Sequence, residues 1–481
     1  MATPLRFHER NVYNLWCFQV DEVAARTRAI WMSARYLQNS FVPVNRLPPE
    51  VLGLIPSSFH SKRDLINATA VCRHWRNTLL SSPDLWCDID CSGGRGPLRQ
   101  LMFQECLERS RTVPLNVRLT SVRYLPDVAP HLARFSALEI ELAVLGQLGK
   151  IATHFSQPAP ILRRLSISAA ASWDQAGLSI PSDLFGGDFA SLRTLRIRGF
   201  SSLRMPQHFP HLTRFDIQAH DFTTLKTDAM LEVLERMPSL EVLHVKFCPA
   251  HYPPPLPIST LRSVTLPRLR EVKLASLENM DPFLPPFIPP ILSALTLPSA
   301  EQITIGMLPP MDSLALPSSF EKQLPNFAET AFVDICIGFE SFNILFHGRR
   351  GSKLLFTTHW ITQPQFWREG FRGTPFLSVQ KMVVTFKRPY NSLDKYFFDL
   401  LRAMERLECL GMRGQYVWAL KHWSALEEQR LICPFLQNLV VVKEPDDSIP
   451  GLLTKLVMAR ESHGVPLVKA VEVASDAGLD L

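Results

Sequence analysis

A six-residue pattern, apolar-x-x-apolar-x-apolar, returns along most of the chain and restricts its possible folds more than any other feature. Its first instance is Phe135, Leu138 and Ile140. Later instances begin at Leu162, Leu192, Leu212, Leu240, Leu269, Leu292, Phe332, Val379, Leu407 and Leu436. Alternate residues of a strand point to the same face, so each instance predicts a short strand with one apolar side. Stacked in parallel, such strands bury a continuous core.

The spacing between instances indicates the class of repeat. Successive starts are 27, 30, 20, 28, 29, 23, 40, 47, 28 and 29 residues apart. Most of these separations lie within the ~20–29-residue period of leucine-rich repeats. The two longest indicate insertions or a degenerate repeat, with residues 353–358 as a possible missing strand. Short helices should close the outer side, most clearly at 228–237. We therefore predict an irregular leucine-rich repeat solenoid with a parallel sheet over residues 135–448.

Both ends of this array need covering, because an open solenoid end exposes its core. Residues 449–481 are predicted to form a C-terminal cap, with a helix at 449–461 followed by a strand at 466–473. Residues 92–134 are predicted to be a linker and the first cap elements, including a helix at 98–110.

The composition excludes several classes of protein. A net charge of +6 over 481 residues is too small to indicate a nucleic-acid surface. Nine cysteines at no framework spacing are typical of free thiols in a reducing compartment, so we expect the cytoplasm or the nucleus. The most apolar stretch, 281–299, is interrupted by prolines and cannot be one membrane helix. This stretch and 249–257 are expected to be rigid connectors, with polyproline ligands as the alternative.

Residues 1–43 are predicted to be a helical extension. An apolar stripe at helical spacing predicts a helix over 21–39. The stripe consists of Val20, Ala24, Thr27, Trp31, Ala34 and Leu37. We expect this helix to rest on the module that follows it. A self-association helix is the alternative, although this stripe lacks a sustained heptad.

Residues 44–91 are predicted to form a compact helical module. The opening Leu47-Pro48-Pro49-Glu50-Val51-Leu52 suits a helix start. The backbone N–H groups of the first turn have no partner within the helix, so the missing N–H of proline costs nothing there. A second apolar stripe predicts a helical rod with a possible bend near Ala70. It runs through Leu65, Ala68, Cys72, Trp75 and Leu79. About 45 residues bury too little surface for a robust core, so part of the apolar surface is a candidate partner site.

This module resembles the F-box, and the resemblance extends from Val44 to Trp86. The matching motifs are Leu47–Leu52, Asp64-Leu65, the Val71–Arg76 stretch and Pro83-Asp84-Leu85-Trp86. The family resemblance implies binding to a Skp-family adaptor, and through it to cullin and RING subunits. It places the adaptor-binding positions at Leu47, Pro48, Val51, Leu52, Ile55, Leu65, Val71 and Trp75. Pro56 departs from the family, which usually has a large apolar residue at the end of the first helix.

Other motifs do not indicate catalysis. Cys87 and Cys91 have His74 nearby in sequence, but no second Cys/His pair stands at the spacing of a four-ligand zinc site. The glycine clusters at 93–96 and 348–353 lack the spacing of nucleotide-binding loops. We therefore expect no catalytic residue, no cofactor and no metal. The dense aromatic residues are expected mostly in the core, with any exposed ones as recognition anchors. They are Trp360, Phe366, Trp367, Phe371, Trp418 and Trp423.

The function that these features predict is a non-catalytic substrate receptor of an SCF-type ubiquitin ligase. The F-box would bind the adaptor and the repeats would bind a protein target, with no nucleic-acid or membrane partner. The first alternative is a scaffold or recognition protein whose degenerate F-box no longer joins a ligase. The second is an enzyme built on a repeat fold, which would need clustered titratable groups in a deep pocket.

Overall fold

The computed structural model describes most of the 481-residue chain. The described residues are 5–59, 61–91, 97–142, 147–169, 178–200, 203–205, 208–219, 227–247, 262–276, 291–292, 294–307, 323–327, 330, 332–337, 341–359, 378–387, 394–427, 431–442 and 449–473. The proline-rich segments 249–257 and 281–290 lie outside these ranges. The chain divides into two compact units, residues 1–118 and 119–481.

Unit 1 is mainly helical. Its α-helices are α1 (Leu5–Ser40), α2 (Pro49–Leu54), α3 (Lys62–Thr69), α4 (Arg73–Leu80) and α5 (Pro97–Arg109). Short 3₁₀ helices lie at Pro43–Arg46, Ile55–Ser58 and Pro83–Trp86. The short strand β1 (Asp88–Asp90) pairs in parallel with β2 (Leu115–Leu119) at the end of this unit. The predicted helix at 98–110 is confirmed.

Helix α1 differs from the sequence expectation in length and in environment. It begins at Leu5 rather than near residue 21 and continues to Ser40. Among its described side chains, 14–40, only Cys17 and Asn39 are half-buried, and all the others are exposed. The expectation that this helix rests on the following module was therefore wrong for these residues. No helix in the described part of the chain is both long and apolar enough to cross a membrane.

The helices α2 to α4 form around a small apolar core. The Ser61 hydroxyl caps α3 by accepting from the Asp64 backbone N–H at 3.2 Å. The sequence predicted one rod with a bend near Ala70, and the structure shows a complete break there, because Cys72 has extended backbone angles. The break lets α3 and α4 fold against each other. The most buried side chains of the module are Leu52, Leu65, Ala68, Leu79 and Trp86.

Unit 2 is a large, mostly parallel sheet with helices between its strands. Its strands are β3 (Phe135–Leu142), β4 (Arg164–Ala169), β5 (Leu178–Ser179), β6 (Thr194–Phe200), β7 (Leu203–Arg204), β8 (Arg214–Ala219), β9 (Val242–Phe247), β10 (Val264–Thr265), β11 (Glu271–Ser276), β12 (Leu295–Thr296), β13 (Gln302–Met307), β14 (Phe332–Ile337), β15 (Ser341–His347), β16 (Lys353–His359), β17 (Lys381–Phe386), β18 (Cys409–Gly414), β19 (Asn438–Val442) and β20 (Lys469–Val473). Its α-helices are α6 (Leu125–Val128), α7 (Gln147–His154), α8 (Thr227–Glu235), α9 (Asp394–Ala403), α10 (Val417–Glu427) and α11 (Ile449–Ser462).

The order of strands in the main sheet of unit 2 follows the chain with one exception. From β3 it runs β4-β6-β8-β9-β11-β13-β16-β15-β14-β17-β18-β19-β20. All neighbours are parallel except β15, which is antiparallel to both β14 and β16. The inward residues are in register from strand to strand and are nearly all buried. The central row reads Leu138, Leu165, Leu195, Phe215, Leu243, Val272, Ile303 and Leu354.

Most predicted strands are confirmed, including the possible strand at 353–358, which is β16. The instance at Leu292 was wrong: Leu295 belongs to β12, which pairs with β10 in a separate two-stranded sheet. The strand of the main sheet is β13, where Ile303 and Ile305 point inward. The instance at Phe332 had the wrong frame, because the buried residues of β14 are Val333 and Ile335.

The C-terminal elements of unit 2 are those that the sequence predicted, a helix (α11) and a strand (β20). A fully buried ion pair joins α10 to α11: Nη1 of Arg460 lies 2.5 Å from Oε1 of Glu427. The same guanidinium donates to the backbone carbonyls of Ile432 and Cys433 at 2.8 and 3.0 Å. One side chain therefore fixes two helices and the segment between them.

Gly414 ends β18 in the left-handed backbone region, with φ at +76°. A Cβ at this position would overlap the Phe386 carbonyl oxygen of β17. We expect Gly414→Ala to cost about 2 kcal/mol, because left-handed strain alone costs ~1–2 kcal/mol. Gly451→Ala is the control, since nothing lies within 4 Å of a Cβ in that helical position. The urea-unfolding midpoint should fall for the first variant and stay or rise for the second. Equal midpoints would contradict the assignment.

Candidate functional site

The short helix α2 has an inward side and an outward side. Leu52 is fully buried, and Pro56, one turn further on, is also buried. Residues three apart lie on the same side of a helix, and Pro48, Val51 and Leu54 follow that spacing. All three are exposed, Val51 by 43% and Leu54 by 68%. The outward side of α2 is therefore an apolar surface that faces solvent.

A second exposed apolar side chain lies in the break between α3 and α4. Val71 is 62% exposed there, next to Cys72, whose extended backbone starts α4. The break gives this residue no helical neighbours to cover it. Val71 thus presents its side chain to solvent from a different element than Val51.

Three of the eight predicted adaptor-binding side chains are half-buried: Leu47, Ile55 and Trp75. Trp75 is held in place because its Nε1–H donates to Oδ1 of Asn45 at 2.7 Å. Asn45 is in turn anchored by donating from Nδ2 to the Asn39 carbonyl at 2.7 Å. These side chains support the exposed surface and reach solvent in part.

Leu52 and Leu65 are core residues, at 0% and 4% exposure. They can shape the surface above them, but their side chains do not reach solvent in this structure. Leu54, by contrast, was absent from the predicted set although it is the most exposed apolar residue of α2. The signal that could have found it is its position three residues after Val51.

Pro56 takes the place of the large apolar residue that usually ends the first helix of an F-box. The α-helix ends at Leu54 and continues as a 3₁₀ helix over Ile55–Ser58. The reason is that proline has no N–H to donate to the Leu52 carbonyl. Pro56 is nevertheless buried, so it still fills a core position of the module.

Two cysteine thiols of unit 1, those of Cys87 and Cys106, are made less reactive by their surroundings. Burial raises the pKa of the Cys87 thiol, and the nearby Asp88 carboxylate acts in the same direction. Burial likewise raises the pKa of Cys106. A raised pKa keeps a thiol protonated and a weak nucleophile. Among the described residues, no group of three or more His, Cys, Asp or Glu side chains could hold a metal ion.

Unit 2 carries a row of charged side chains on the side of the sheet opposite the inward row. Asp216 of β8 lies 3.2 Å from Arg196 of β6 and 3.1 Å from Arg214. Nη2 of Arg214 hydrogen-bonds Nδ1 of His244 in β9 at 3.2 Å, and the other carboxylate oxygen of Asp216 lies 3.0 Å from the same ring nitrogen. The Nε2 atom of that ring is 3.1 Å from Glu271 of β11. The row therefore links four parallel strands through side chains alone.

The cations of this row are more exposed than its carboxylates. Arg196 and Lys273 are each 42% exposed, whereas Asp216 is 13% exposed. A hydrogen bond from Lys273 lowers the pKa of the Glu271 carboxyl and outweighs the opposite effect of its partial burial. Glu271 is therefore held in its ionised form. A ligand that approaches this side of the sheet first meets arginine and lysine groups.

An open groove of about 480 Å³ lies where several strands of unit 2 begin. Glu241, Arg270 and Glu301 immediately precede β9, β11 and β13 and line it, together with Arg268 and Arg350. Its mixed charges suit a polar ligand. No local pattern predicted this groove, because Glu241, Arg270 and Glu301 are about 30 residues apart along the chain.

The aromatic residues that the sequence singled out are only partly described. Trp423 is fully buried and Trp418 is half-buried, the latter edge-on to Phe386 at 5.4 Å between ring centroids. Both belong to the packing of α10, as expected for core residues. Trp360, Phe366, Trp367 and Phe371 lie outside the described residues.

Comparison with known families agrees with the helical module. A family model described as F-box-like matches residues 44–92, the segment that contains α2 to α4 and the exposed surface of Val51 and Val71. The match supports the class to which the motifs pointed, an F-box protein. F-box domains are typically non-catalytic substrate adaptors. No curated protein matches the chain.

Proposed function

We propose that this chain is the substrate receptor of an SCF-type ubiquitin ligase. In this proposal the F-box-like domain binds a Skp-family adaptor, which connects the chain to cullin and RING subunits. Unit 2 binds the protein target. The chain itself performs no bond chemistry, and it acts by raising the effective concentration of the target near a ubiquitin-charged enzyme. We expect this to take place in the cytoplasm or the nucleus.

The observation that carries the proposal is the open apolar surface of the F-box-like domain. Val51, Leu54 and Val71 are exposed, while Leu52 and Leu65 form the core of the module. A contiguous patch of exposed apolar side chains is typical of a protein-binding surface, and we propose that these three residues form one. Six of the eight predicted adaptor positions reach solvent fully or in part and support the same surface. They are Leu47, Pro48, Val51, Ile55, Val71 and Trp75.

We further propose that unit 2 is an irregular leucine-rich repeat array and that its charged side contributes to target binding. The in-register apolar rows and the recurrence of strand and connector support this proposal. The proposed domains are an extension at 1–43, the F-box at 44–91, a linker and cap at 92–134, repeats at 135–448 and a C-terminal cap at 449–481. The row around Asp216 gives the array an exposed, mainly cationic recognition surface.

Reconstitution tests the ligase function without knowledge of the target. The full-length chain is mixed with a purified Skp-family adaptor and the complex is sized by gel filtration. Cullin, RING and ubiquitin-charging enzymes are then added, and ubiquitin transfer to the receptor itself is measured. We expect a 1:1 complex and ubiquitin on the receptor only when the adaptor is present.

Two other outcomes separate the alternatives. A chain that binds no adaptor at micromolar concentrations would contradict the receptor proposal. Adaptor binding without any ubiquitin transfer would instead favour a scaffold whose F-box no longer serves a ligase. The early end of α2 at Pro56 is the structural feature that favours this alternative, whereas the burial of Pro56 in the core opposes it.

A further inference from the structure

Helix α1 exposes more apolar surface than a helix without a partner normally does. Its 36 residues make a rod about 54 Å long. Along this rod Trp16, Val23, Ile30 and Leu37 are each at least 60% exposed. Isolated helices in water are marginal and gain most of their stability by packing an apolar face. The length of α1 and the exposure of its apolar side chains therefore indicate that a partner covers it.

One line of residues along α1 has the spacing of a coiled-coil seam. Its members are Trp16, Val20, Val23, Thr27, Ile30, Ala34 and Leu37. They are separated alternately by four and three residues, as the a and d positions of heptads are. This seam differs from the stripe through Ala24 and Trp31 that the shorter helix suggested. The observed helix begins upstream of residue 21 and adds Trp16 to this seam.

The charged residues of the described part of α1 all lie off this seam. Asp21, Arg28 and Arg35 occupy b positions, and Glu22 occupies a c position. Arg26, which flanks the seam, pairs with Glu22 at 2.5 Å within the same helix. No charged side chain stands on the seam itself, although the Arg35 guanidinium lies over the Trp31 ring, 4.0 Å from its centroid, at the edge of the seam. Residues 14–40 of α1 include three arginines and two acidic residues, so this part of the helix is not strongly basic, which disfavours an anionic membrane surface as the partner.

The area available on the seam matches what a stable dimer needs. Eight side chains lie on or beside it, namely the seven seam residues and Trp31 at an e position. The two tryptophans bury ~150–250 Å² each, and Val20, Val23, Ile30 and Leu37 bury on the order of 100 Å² each. Together they approach the ~800 Å² per partner of a standard interface. A second copy of the same helix presents an identical seam and so fits it by symmetry.

We propose that α1 is a dimerisation helix, and that two copies of the chain associate through a two-stranded coiled coil along the seam from Trp16 to Leu37. The valine and isoleucine residues and Leu37 supply the interlocking core positions. This interaction is separate from the adaptor-binding surface on α2 and does not depend on the proposed ligase function.

Sedimentation equilibrium of the full-length chain tests this proposal. We expect a mass of twice 54.5 kDa at micromolar concentration. The variant Val23→Glu/Ile30→Glu places two charges in the seam and should weaken dimerisation at least ~100-fold, leaving a monomer. Glutamate has a better helix propensity than valine or isoleucine, so α1 itself should persist. Its helicity is checked by circular dichroism.

The matched control is Phe18→Glu/Met32→Glu, which adds the same two charges at f positions opposite the seam. Phe18 and Met32 are both exposed. This control should remain dimeric. A monomeric wild-type chain, a trimer or a seam variant that stays dimeric would each overturn the proposal. Loss of the dimer in the control variant as well would overturn the assignment of the seam.

Discussion

Replacing Arg460 with methionine should lower the free energy of unfolding by about 3–5 kcal/mol, because it leaves a carboxylate buried without its counter-charge. Both Arg460 and Glu427 are fully buried. Methionine preserves much of the apolar volume, so the loss reports on the charge and on the hydrogen bonds to the Ile432 and Cys433 carbonyls rather than on a cavity. A typical domain is stable by ~5–15 kcal/mol, so this single change removes a large share. The urea-unfolding midpoint of the full-length chain measures it.

The hydrogen bonds of Glu427 explain why the loss of Arg460 should lower the free energy of unfolding so strongly. One carboxylate oxygen accepts from Arg460, and the other accepts from Nε1 of Trp423 at 2.9 Å and from the Ile432 backbone N–H at 3.0 Å. Without Arg460 the two remaining donors are neutral. They cannot offset the cost of a desolvated negative charge.

A second substitution tests that explanation. Glu427→Gln keeps an oxygen for Trp423 and Ile432 but removes the charge, so Arg460→Met/Glu427→Gln should recover at least ~1–2 kcal/mol relative to Arg460→Met alone. The control Arg270→Met removes a 66% exposed arginine that lies 3.9 Å from Glu301 and should change stability by less than ~1 kcal/mol. A double variant that is less stable than Arg460→Met would show that the buried charge is not the cause.

The pH dependence of Arg460→Met has a defined sign. Burial raises the pKa of Glu427 above its unfolded value of ~4.3, and the nearby Arg460 charge opposes that rise. Removing Arg460 should raise the pKa further. Between the unfolded and folded pKa values the native state binds more protons than the unfolded state, so stability falls as pH rises. The loss of unfolding free energy in Arg460→Met, relative to the unsubstituted chain, should therefore be smallest at low pH. It should increase as the pH rises from the unfolded to the folded pKa of Glu427.

The strands of unit 2 could be predicted because each carries its signal locally. An apolar residue that is followed three and five residues later by two more apolar residues is enough to predict a strand. The last two residues of this pattern also identify the side of the strand that faces inward. The signal failed where small or polar residues took the first position. Ala300 precedes β13 and Thr330 precedes β14, and both are fully buried, so the same frame is present in the structure without an apolar residue to reveal it.

Other features depend on contacts that no local pattern records. Strand β15 is inserted antiparallel between β14 and β16, which accounts for one of the long gaps between repeats. Arg460 and Glu427 are 33 residues apart. For the F-box-like domain the motifs located the module, but Val51 and Leu52 are adjacent and apolar. Only the packing of α2 against α4 decides that Leu52 turns inward and Val51 outward.

Because Val51 turns outward and Leu52 turns inward, adaptor binding is tested by substituting Val51 and not Leu52. We expect Val51→Glu/Val71→Glu to weaken binding of the Skp-family adaptor at least ~100-fold, which corresponds to ~2.7 kcal/mol. Apolar anchors at the centre of an interface each contribute ~2 kcal/mol or more, and a glutamate there must also be desolvated against an apolar partner. Isothermal titration of the full-length chain with purified adaptor measures the change.

The folded state should tolerate this variant. Val51 and Val71 are 43% and 62% exposed, and exposed substitutions usually change stability by less than ~0.5 kcal/mol. Leu52→Ala would be a poor substitute, because truncating a fully buried leucine costs ~2–5 kcal/mol and would reduce binding by unfolding the module. The surface variant should thus keep the wild-type unfolding midpoint while it loses the adaptor.

The matched control is Leu101→Glu/Met458→Glu, which adds the same two charges at apolar positions that are 57% and 63% exposed on α5 and α11. It should bind the adaptor with wild-type affinity. If the Val51→Glu/Val71→Glu variant also binds normally, the outward side of α2 and the α3–α4 break are not the adaptor site. If the control loses binding equally, added negative charge rather than position accounts for the effect, and the apolar surface has no specific role.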